Sequence, residues 1–151
     1  MNKAEIIKIM QQSATEHIDW VRQGRMLLKG FPEDQIKKPS ECEGDNFGHW
    51  YFGEGHKLVN IPQLEKLNTL HQEISKTYTA LYFMTFDRRL KARSTLITAD
   101  DIEVPVVEIK FREKKLKDLE DTIKKMLLGL KQVENKVIEM EDINFDSVWF
   151  A

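Results

Sequence analysis

The segment ECEGDNFGHWYFGEGHK, residues 41–57, combines residue types that bind metal ions with residue types that pack tight turns. It contains Cys42, His49 and His56, together with four of the seven glycines of the chain and four aromatic residues. Thiolate and imidazole groups are common zinc ligands, whereas glycines beside aromatic rings are typical of a packed turn. The segment is therefore either a metal-ligand loop or a glycine-hinged hydrophobic plug.

Two histidines outside this segment lie on faces of predicted helices. His17 and Trp20 are three residues apart, which places them on one face of the first helix. His71 belongs to the apolar stripe of the second long helix, where a buried imidazole needs a polar partner. Inward-facing side chains from two helices build the metal sites of helical bundles. The alternative for His17 is a core-edge imidazole that packs beside Trp20 and binds no metal.

Apolar periodicity and helix-ending residues predict three long helices and one short helix. The long helices are residues 3–28, 62–93 and about 106–141. The short helix lies in DNFGHWYFGEG, where Asp45 is a favoured capping residue and the following glycines end the helix. Residues 30–45 and 94–105 are predicted to be loops, with one helical turn at 33–37.

The C-terminal helix carries the clearest pattern, because its apolar residues alternate spacings of three and four. They are Leu116, Leu119, Ile123, Met126, Leu130, Val133, Val137 and Met140. Such a stripe serves either the core of a bundle or a coiled-coil partner. The aromatic tail, residues 142–151, is expected to fold back onto the body or onto a second subunit. These patterns predict an all-α fold, a four-helix bundle with an additional short helix or loop that carries the FGHW motif, in one domain of residues 1–151.

Composition excludes several classes of function. The chain has 151 residues, of which 41 % are hydrophobic and 32 % charged, and a net charge of −2 gives no electrostatic case for nucleic acid binding. A single cysteine excludes an internal disulfide and fits a reducing cytoplasm. No apolar run is long enough for a membrane span. The absence of a Gly-rich phosphate loop and of a supported catalytic triad argues against an enzyme.

Three short motifs, in order, resemble the chemoreceptor zinc-binding domain, the CZB family. They are HIDW at residues 17–20, DNFGHWYFGEG at 45–55 and LHQEIS at 70–75. The resemblance covers about residues 10–85, and the middle motif is the most specific. It implies a four-helix bundle that binds one zinc ion and acts as a homodimeric regulatory module attached to chemoreceptors or to enzymes that form cyclic di-GMP.

The resemblance also implies a set of ligands. His17 matches the first ligand of the family and His71 the third, whereas Asp45 stands where the family has its cysteine. Ser75 stands at the position of the last histidine, so the fourth ligand is either a weak serine hydroxyl or water. A register shift would instead make His71 the last histidine, with Leu67 at the position of the other, but it shortens the gap after the middle motif.

Two alternatives remain open at the cysteine position. Asp45 directly precedes a predicted helix, so it is either a metal ligand or only an N-cap. Cys42 becomes the alternative ligand if the CEGD turn folds back through Gly44. A carboxylate is a harder ligand than a thiolate, so the site is expected to admit iron, manganese or nickel as well as zinc.

The resemblance therefore implies a metal-binding module of bacterial signal transduction and chemotaxis, which we expect in the cytoplasm. We expect it to form a homodimer and to act on a chemoreceptor or another signalling protein. A first alternative is a helical-bundle interaction protein that has lost the metal and keeps the motif as structural core. A second is a small metalloenzyme that uses the open coordination position with Glu16, Asp19 or Glu54 as acid–base group.

Overall fold

The computed structural model describes residues 2–55, 58, 61–94 and 106–140. The predicted loop beyond residue 94, the aromatic tail and His56 lie outside these residues. Within these described residues, five α-helices follow one another: α1 Lys3–Lys29, α2 Pro39–Glu43, α3 Asn46–Phe52, α4 Gln63–Ser94 and α5 Val106–Glu139.

Helix α1 has clear sequence reasons for both of its ends. Asn2 caps it, because its side chain accepts a hydrogen bond from the Glu5 backbone N–H while the Glu5 carboxylate accepts one from the Asn2 backbone N–H. Gly30 ends it in the left-handed conformation, with φ of 83°, which a glycine adopts without steric cost. Between these ends, every third or fourth residue is buried, and His17 and Trp20 both lie on the buried face.

Helices α1, α4 and α5 pack together as the body of the bundle, with α5 against both of the others. The heptad stripe of α5 faces this core: six of its eight residues are buried, and Leu116 and Met140 at its ends are half-buried. Two glycines lie where these helices pack against one another. A Cβ atom at Gly24 would lie 2.9 Å from Leu119 Cδ2, and one at Gly129 would lie 2.5 Å from Leu67 Cδ2. The stripe is therefore bundle core.

The predicted loop at residues 30–45 contains a helix that the sequence interpretation missed. A 3₁₀ turn covers Glu33–Gln35, within the predicted helical turn, and α2 follows at Pro39–Glu43. Pro39 occupies the first position of α2, where its fixed φ suits a helix. The Tyr78 hydroxyl of α4 donates a hydrogen bond to the Lys37 carbonyl, and that of Tyr82 donates one to Glu33 Oε1 at 3.0 Å. These contacts fix the segment on α4.

The structure confirms the predicted all-α bundle, and the described residues contain no strand. The short helices α2 and α3 pack against α4 and α1, so they cover the side of the bundle where the sequence motif lies. No helix among the described residues has the length and apolar character needed to cross a membrane.

Candidate metal centre

Helix α1 presents the imidazole of His17 to the interior in a fixed orientation. Its Nδ1 lies 2.6 Å from the carbonyl oxygen of Ser13, one turn earlier in the same helix. Because a carbonyl oxygen can only accept, the proton lies on Nδ1 and the neutral ring has a lone pair on Nε2. A backbone carbonyl that holds the second nitrogen in this way is the usual support of a metal-binding histidine.

Asp45 sits at the start of α3 and caps it. Its Oδ1 accepts a hydrogen bond of 3.0 Å from the Gly48 backbone N–H. The next backbone N–H, that of Asn46, donates to Glu16 Oε2 at 3.0 Å, which ties α3 to α1. Phe47 on α3 is fully buried, with its ring centroid 5.4 Å from that of His71. The capping role proposed for Asp45 is therefore present in the structure.

His71 on α4 completes a group of three. Its Nε2 lies 2.9 Å from Asp45 Oδ1, and the His17 Nε2 lies 4.0 Å from Asp45 Oδ2. The two imidazole centroids are 5.6 Å apart, with the rings inclined at 68°. One nitrogen or oxygen atom from each of the three residues lies within 4.8 Å of the others. Three separate helices or helix ends thus bring His17, Asp45 and His71 to one point.

The three side chains of the centre are almost completely buried, and some of their polar atoms have no hydrogen-bond partner. The side chains of His17 and Asp45 are 0 % and 4 % exposed, and that of His71 is 5 % exposed. Burial lowers the pKa of His17, because an imidazolium ion loses its hydration there. Burial alone would raise the pKa of Asp45, but the hydrogen bond and charge of His71, together with the Gly48 N–H, lower it overall. The interior therefore favours a neutral His17 next to a charged carboxylate.

The donor atoms fit a divalent metal ion. Within the described residues, His17 Nε2 and Asp45 Oδ2 are buried polar atoms without a hydrogen-bond partner. A tetrahedral zinc ion with bonds of about 2.0–2.1 Å requires ligand atoms about 3.3 Å apart. The 4.0 Å between these two atoms therefore has to close by less than about 1 Å, a shift within reach of side-chain adjustment. Two imidazoles and a carboxylate suit zinc, iron, manganese or nickel.

The structure separates the remaining candidate ligands. Cys42 is fully buried on α2 but does not belong to the group of three. Burial raises the pKa of the Tyr78 phenol, and the nearby Cys42 adds to that rise. Ser75 is buried one turn beyond His71, and its carbonyl accepts a 2.6 Å hydrogen bond from the Thr79 hydroxyl. Ligation by the Ser75 hydroxyl stays a prediction. His49 is exposed on α3, away from the centre.

Sequence reasoning missed Ser13 and the positioning role of Glu16. Ser13 is fully buried, and its carbonyl sets the tautomer of His17. No side-chain type signals this contact, because the acceptor is a backbone carbonyl. Glu16, a candidate acid–base group from the sequence, accepts a hydrogen bond from the first backbone N–H of α3. Burial raises the pKa of Glu16 and outweighs the hydrogen bond from Asn46.

Glycines and aromatic rings form the packed frame of the segment that carries Asp45. Phe47 and Trp50 are buried, and the ring of Tyr51 stacks on Phe47 with centroids 5.8 Å apart. Gly55 lies against the Trp50 ring so closely that a Cβ atom there would be 2.8 Å from the ring. The segment is thus a hydrophobic plug by most of its residues, and Asp45 is the one that faces both histidines.

No family model, no curated protein and no solved structure matches this chain in the three comparisons.

Proposed function

We propose that this protein is a regulatory module that binds one divalent metal ion through His17, Asp45 and His71. The observation that carries the proposal is the convergence of unpartnered donor atoms in a closed site. His17 Nε2 carries a free lone pair and faces the free oxygen of a charged carboxylate. An isolated buried charge and an isolated buried acceptor each cost free energy, and a bound cation satisfies both.

Binding of the metal through His71 Nε2 requires a change of tautomer. His71 donates its Nε2 proton to Asp45 Oδ1 in the metal-free arrangement. A neutral His71 becomes a ligand through Nε2 when its proton lies on Nδ1 instead. Metal ions compete with protons for imidazole nitrogens, so metal affinity should fall at a pH low enough to protonate His17, whose pKa is lowered by burial.

The three-motif resemblance supports a regulatory role for this protein. The motifs that resemble the CZB family contribute the three residues of this centre. We infer that the chain is a divergent relative of that family, with a carboxylate at the cysteine position, and that it regulates a bacterial chemotaxis or signalling partner as a homodimer. The near-complete burial of the three side chains gives a substrate no direct access, which supports a non-catalytic role.

Elemental analysis of the purified chain tests the site. After dialysis against zinc and then against buffer, we expect one metal per chain, and loss of that metal in His17→Ala and in His71→Ala. His49→Ala is the matched control, because His49 lies near the site in sequence but is exposed on the outer side of α3. Equal metal content in all four proteins would reject the site.

One observation favours a second candidate, an interaction protein without metal. The His71 and Gly48 N–H groups both already donate to Asp45 Oδ1, so part of the centre is satisfied as a polar core. The motif would then serve only to fix α3 between α1 and α4. Thermal unfolding with and without chelator separates the candidates, because the metal-free candidate requires identical melting temperatures and a metal bound only to the folded state requires different ones.

A further inference from the structure

A second feature, independent of the metal centre, is an apolar groove between α1 and α5. Its volume is about 600 Å³, and its floor includes Ile18, Val21, Ile123 and Leu127. Ile18 is 58 % exposed although it is a large apolar residue in the middle of a long helix. An exposed apolar groove of this kind marks a binding surface when a complementary partner exists.

The rim of the groove is basic. Four of its residues are cationic, Arg22, Arg25, Lys29 and Lys124, and one is acidic, Glu120. Arg25 pairs with Glu120 at 2.9 Å, and Arg22 pairs with Asp19 at 2.9 Å. Lys29 and Lys124 have no ion-pair partner among the described residues. The groove therefore offers an apolar floor and two unpaired cations to its occupant.

The segment that follows α5 has the complementary chemistry. Residues 141–151, EDINFDSVWFA, contain three acidic residues and no lysine, arginine or histidine. Five of the eleven are large and apolar: Ile143, Phe145, Val148, Trp149 and Phe150. Acidic and aromatic residues in one short segment match a basic rim around an apolar floor.

The segment is also long enough to reach the groove from the end of α5. Helix α5 ends beside the start of α1, because the Lys3 side chain donates hydrogen bonds to the carbonyls of Ile138 and Met140. The helix rises about 1.5 Å per residue, so Leu127 lies about 20 Å back from Met140. An extended chain covers about 3.3 Å per residue, so Trp149 reaches up to about 30 Å. A return along α5 therefore brings the aromatic residues over the groove, with residues to spare for the turn.

We propose that residues 141–151 bind intramolecularly in the groove between α1 and α5, with Trp149 and Phe150 on its floor and Asp146 on the side of Lys124. The segment thereby covers Ile18 and closes the apolar surface that the described residues leave open. This contact uses no residue of the metal centre, so it stands whether or not a metal binds.

Disulfide trapping in the full chain tests the proposal. Ile18→Cys and Ser147→Cys together should form an intrachain disulfide under mild oxidation at least about tenfold faster than a control pair, because docking raises the effective concentration of the two thiols. The control pair is Glu73→Cys with Ser147→Cys, since Glu73 is exposed on α4, at a similar height on another face. Cys42 is fully buried and should stay reduced.

Two further variants locate the cause. Adding Trp149→Ala and Phe150→Ala should reduce the rate of the Ile18 pair to that of the control pair. Charge reversal by Lys124→Glu should also slow it, and high salt should slow it in the parent alone. Equal rates for the two pairs would overturn the proposal, and so would a disulfide that links two chains, which would assign the groove to the tail of a second copy.

Discussion

The substitution Asp45→Asn separates the two roles that the structure gives to one carboxylate. Oδ1 accepts hydrogen bonds from the Gly48 backbone N–H and from His71 Nε2, whereas Oδ2 faces His17 Nε2 at 4.0 Å. An asparagine carbonyl accepts the same two hydrogen bonds, and asparagine caps helices about as well as aspartate. Its amide group then replaces Oδ2 and points a donor at the lone pair of His17. The cap is kept and the charged ligand is lost.

The magnitudes differ sharply between the metal-free and the metal-bound protein. Without metal, Asp45→Asn should cost less than about 1 kcal/mol, since every hydrogen bond of Oδ1 is kept. A metal at about 100 times Kd stabilises the wild type by about 2.7 kcal/mol, and a roughly 100-fold weaker site gains only about 0.4 kcal/mol. For a chain of this length, 1 kcal/mol shifts Tm by about 2–4 °C. Zinc should therefore raise Tm by about 5–11 °C in the wild type and by about 1–2 °C in the variant.

Thermal unfolding followed by circular dichroism, with zinc or with chelator, measures both quantities on one sample. Asp45→Ala is the companion variant, because it removes the cap, for about 1 kcal/mol, and leaves the His71 N–H unpaired, for about 1–3 kcal/mol. We expect Asp45→Ala to be unstable even with chelator, whereas Asp45→Asn is not. A full zinc-induced shift in Asp45→Asn would refute ligation by this carboxylate, and a wild type that zinc does not stabilise would refute the metal centre itself.

Three further predictions follow from the same geometry. The first concerns pH with chelator present: the folded-state pKa of His17 is lower than its ordinary value of 6.5, so the stability linked to this histidine is complete above pH 6.5 and is lost as the pH falls through the folded-state pKa. The urea midpoint of the wild type should therefore decline from pH 7 to pH 5. The decline should be much smaller in His17→Gln. Gly55→Ala should destabilise the fold by about 1–3 kcal/mol and perturb Trp50 fluorescence, because a Cβ atom there would lie 2.8 Å from the Trp50 ring. Gly44→Ala is the control, since a Cβ atom there meets only an ordinary 3.4 Å contact. Equal melting temperatures for the two variants would contradict this packing. Treatment with stoichiometric peroxide should release no bound metal, because Cys42 is outside the ligand group. A chromogenic chelator measures the free metal, and a rise in its signal would show that the Cys42 thiolate is a ligand.

Long periodic elements of the fold could be predicted from the sequence, and short ones could not. Helix α1 was expected at residues 3–28 and is found at Lys3–Lys29, because its cap, its stripe and its terminal glycine agree with one another. Helix α2 was missed because five residues carry no full period of an apolar pattern. The segment directly before it is held by hydrogen bonds from Tyr78 and Tyr82, contacts of long sequence separation that no local pattern predicts.

The parts of the candidate site that depend on side-chain type could be predicted from the sequence, and the backbone contacts could not. His17 and His71 stood out because imidazoles on apolar helix faces are uncommon and need partners. The hydrogen bond from His17 to the Ser13 carbonyl was not predictable in the same way, because every residue carries a carbonyl group. The competition between Cys42 and Asp45 depended on how the chain turns between them. Helix α2 places Cys42 near Tyr78, and the following residues bring Asp45 to the histidines.

The geometry of Asp45 shows how a carboxylate could both cap α3 and offer a metal ligand at the position where the CZB family, which the motifs resemble, has a thiolate. A thiolate offers one sulfur atom, which cannot serve a metal fully and cap a helix equally well. A carboxylate has two oxygen atoms, and here Oδ1 holds the first turn of α3 and the His71 imidazole, while Oδ2 remains free beside His17. Removing the charge should therefore weaken metal binding without unfolding α3, whereas removing the whole side chain should weaken metal binding and also destabilise α3. Aspartate at this position can couple the stability of α3 to metal binding, because the same side chain contributes to both.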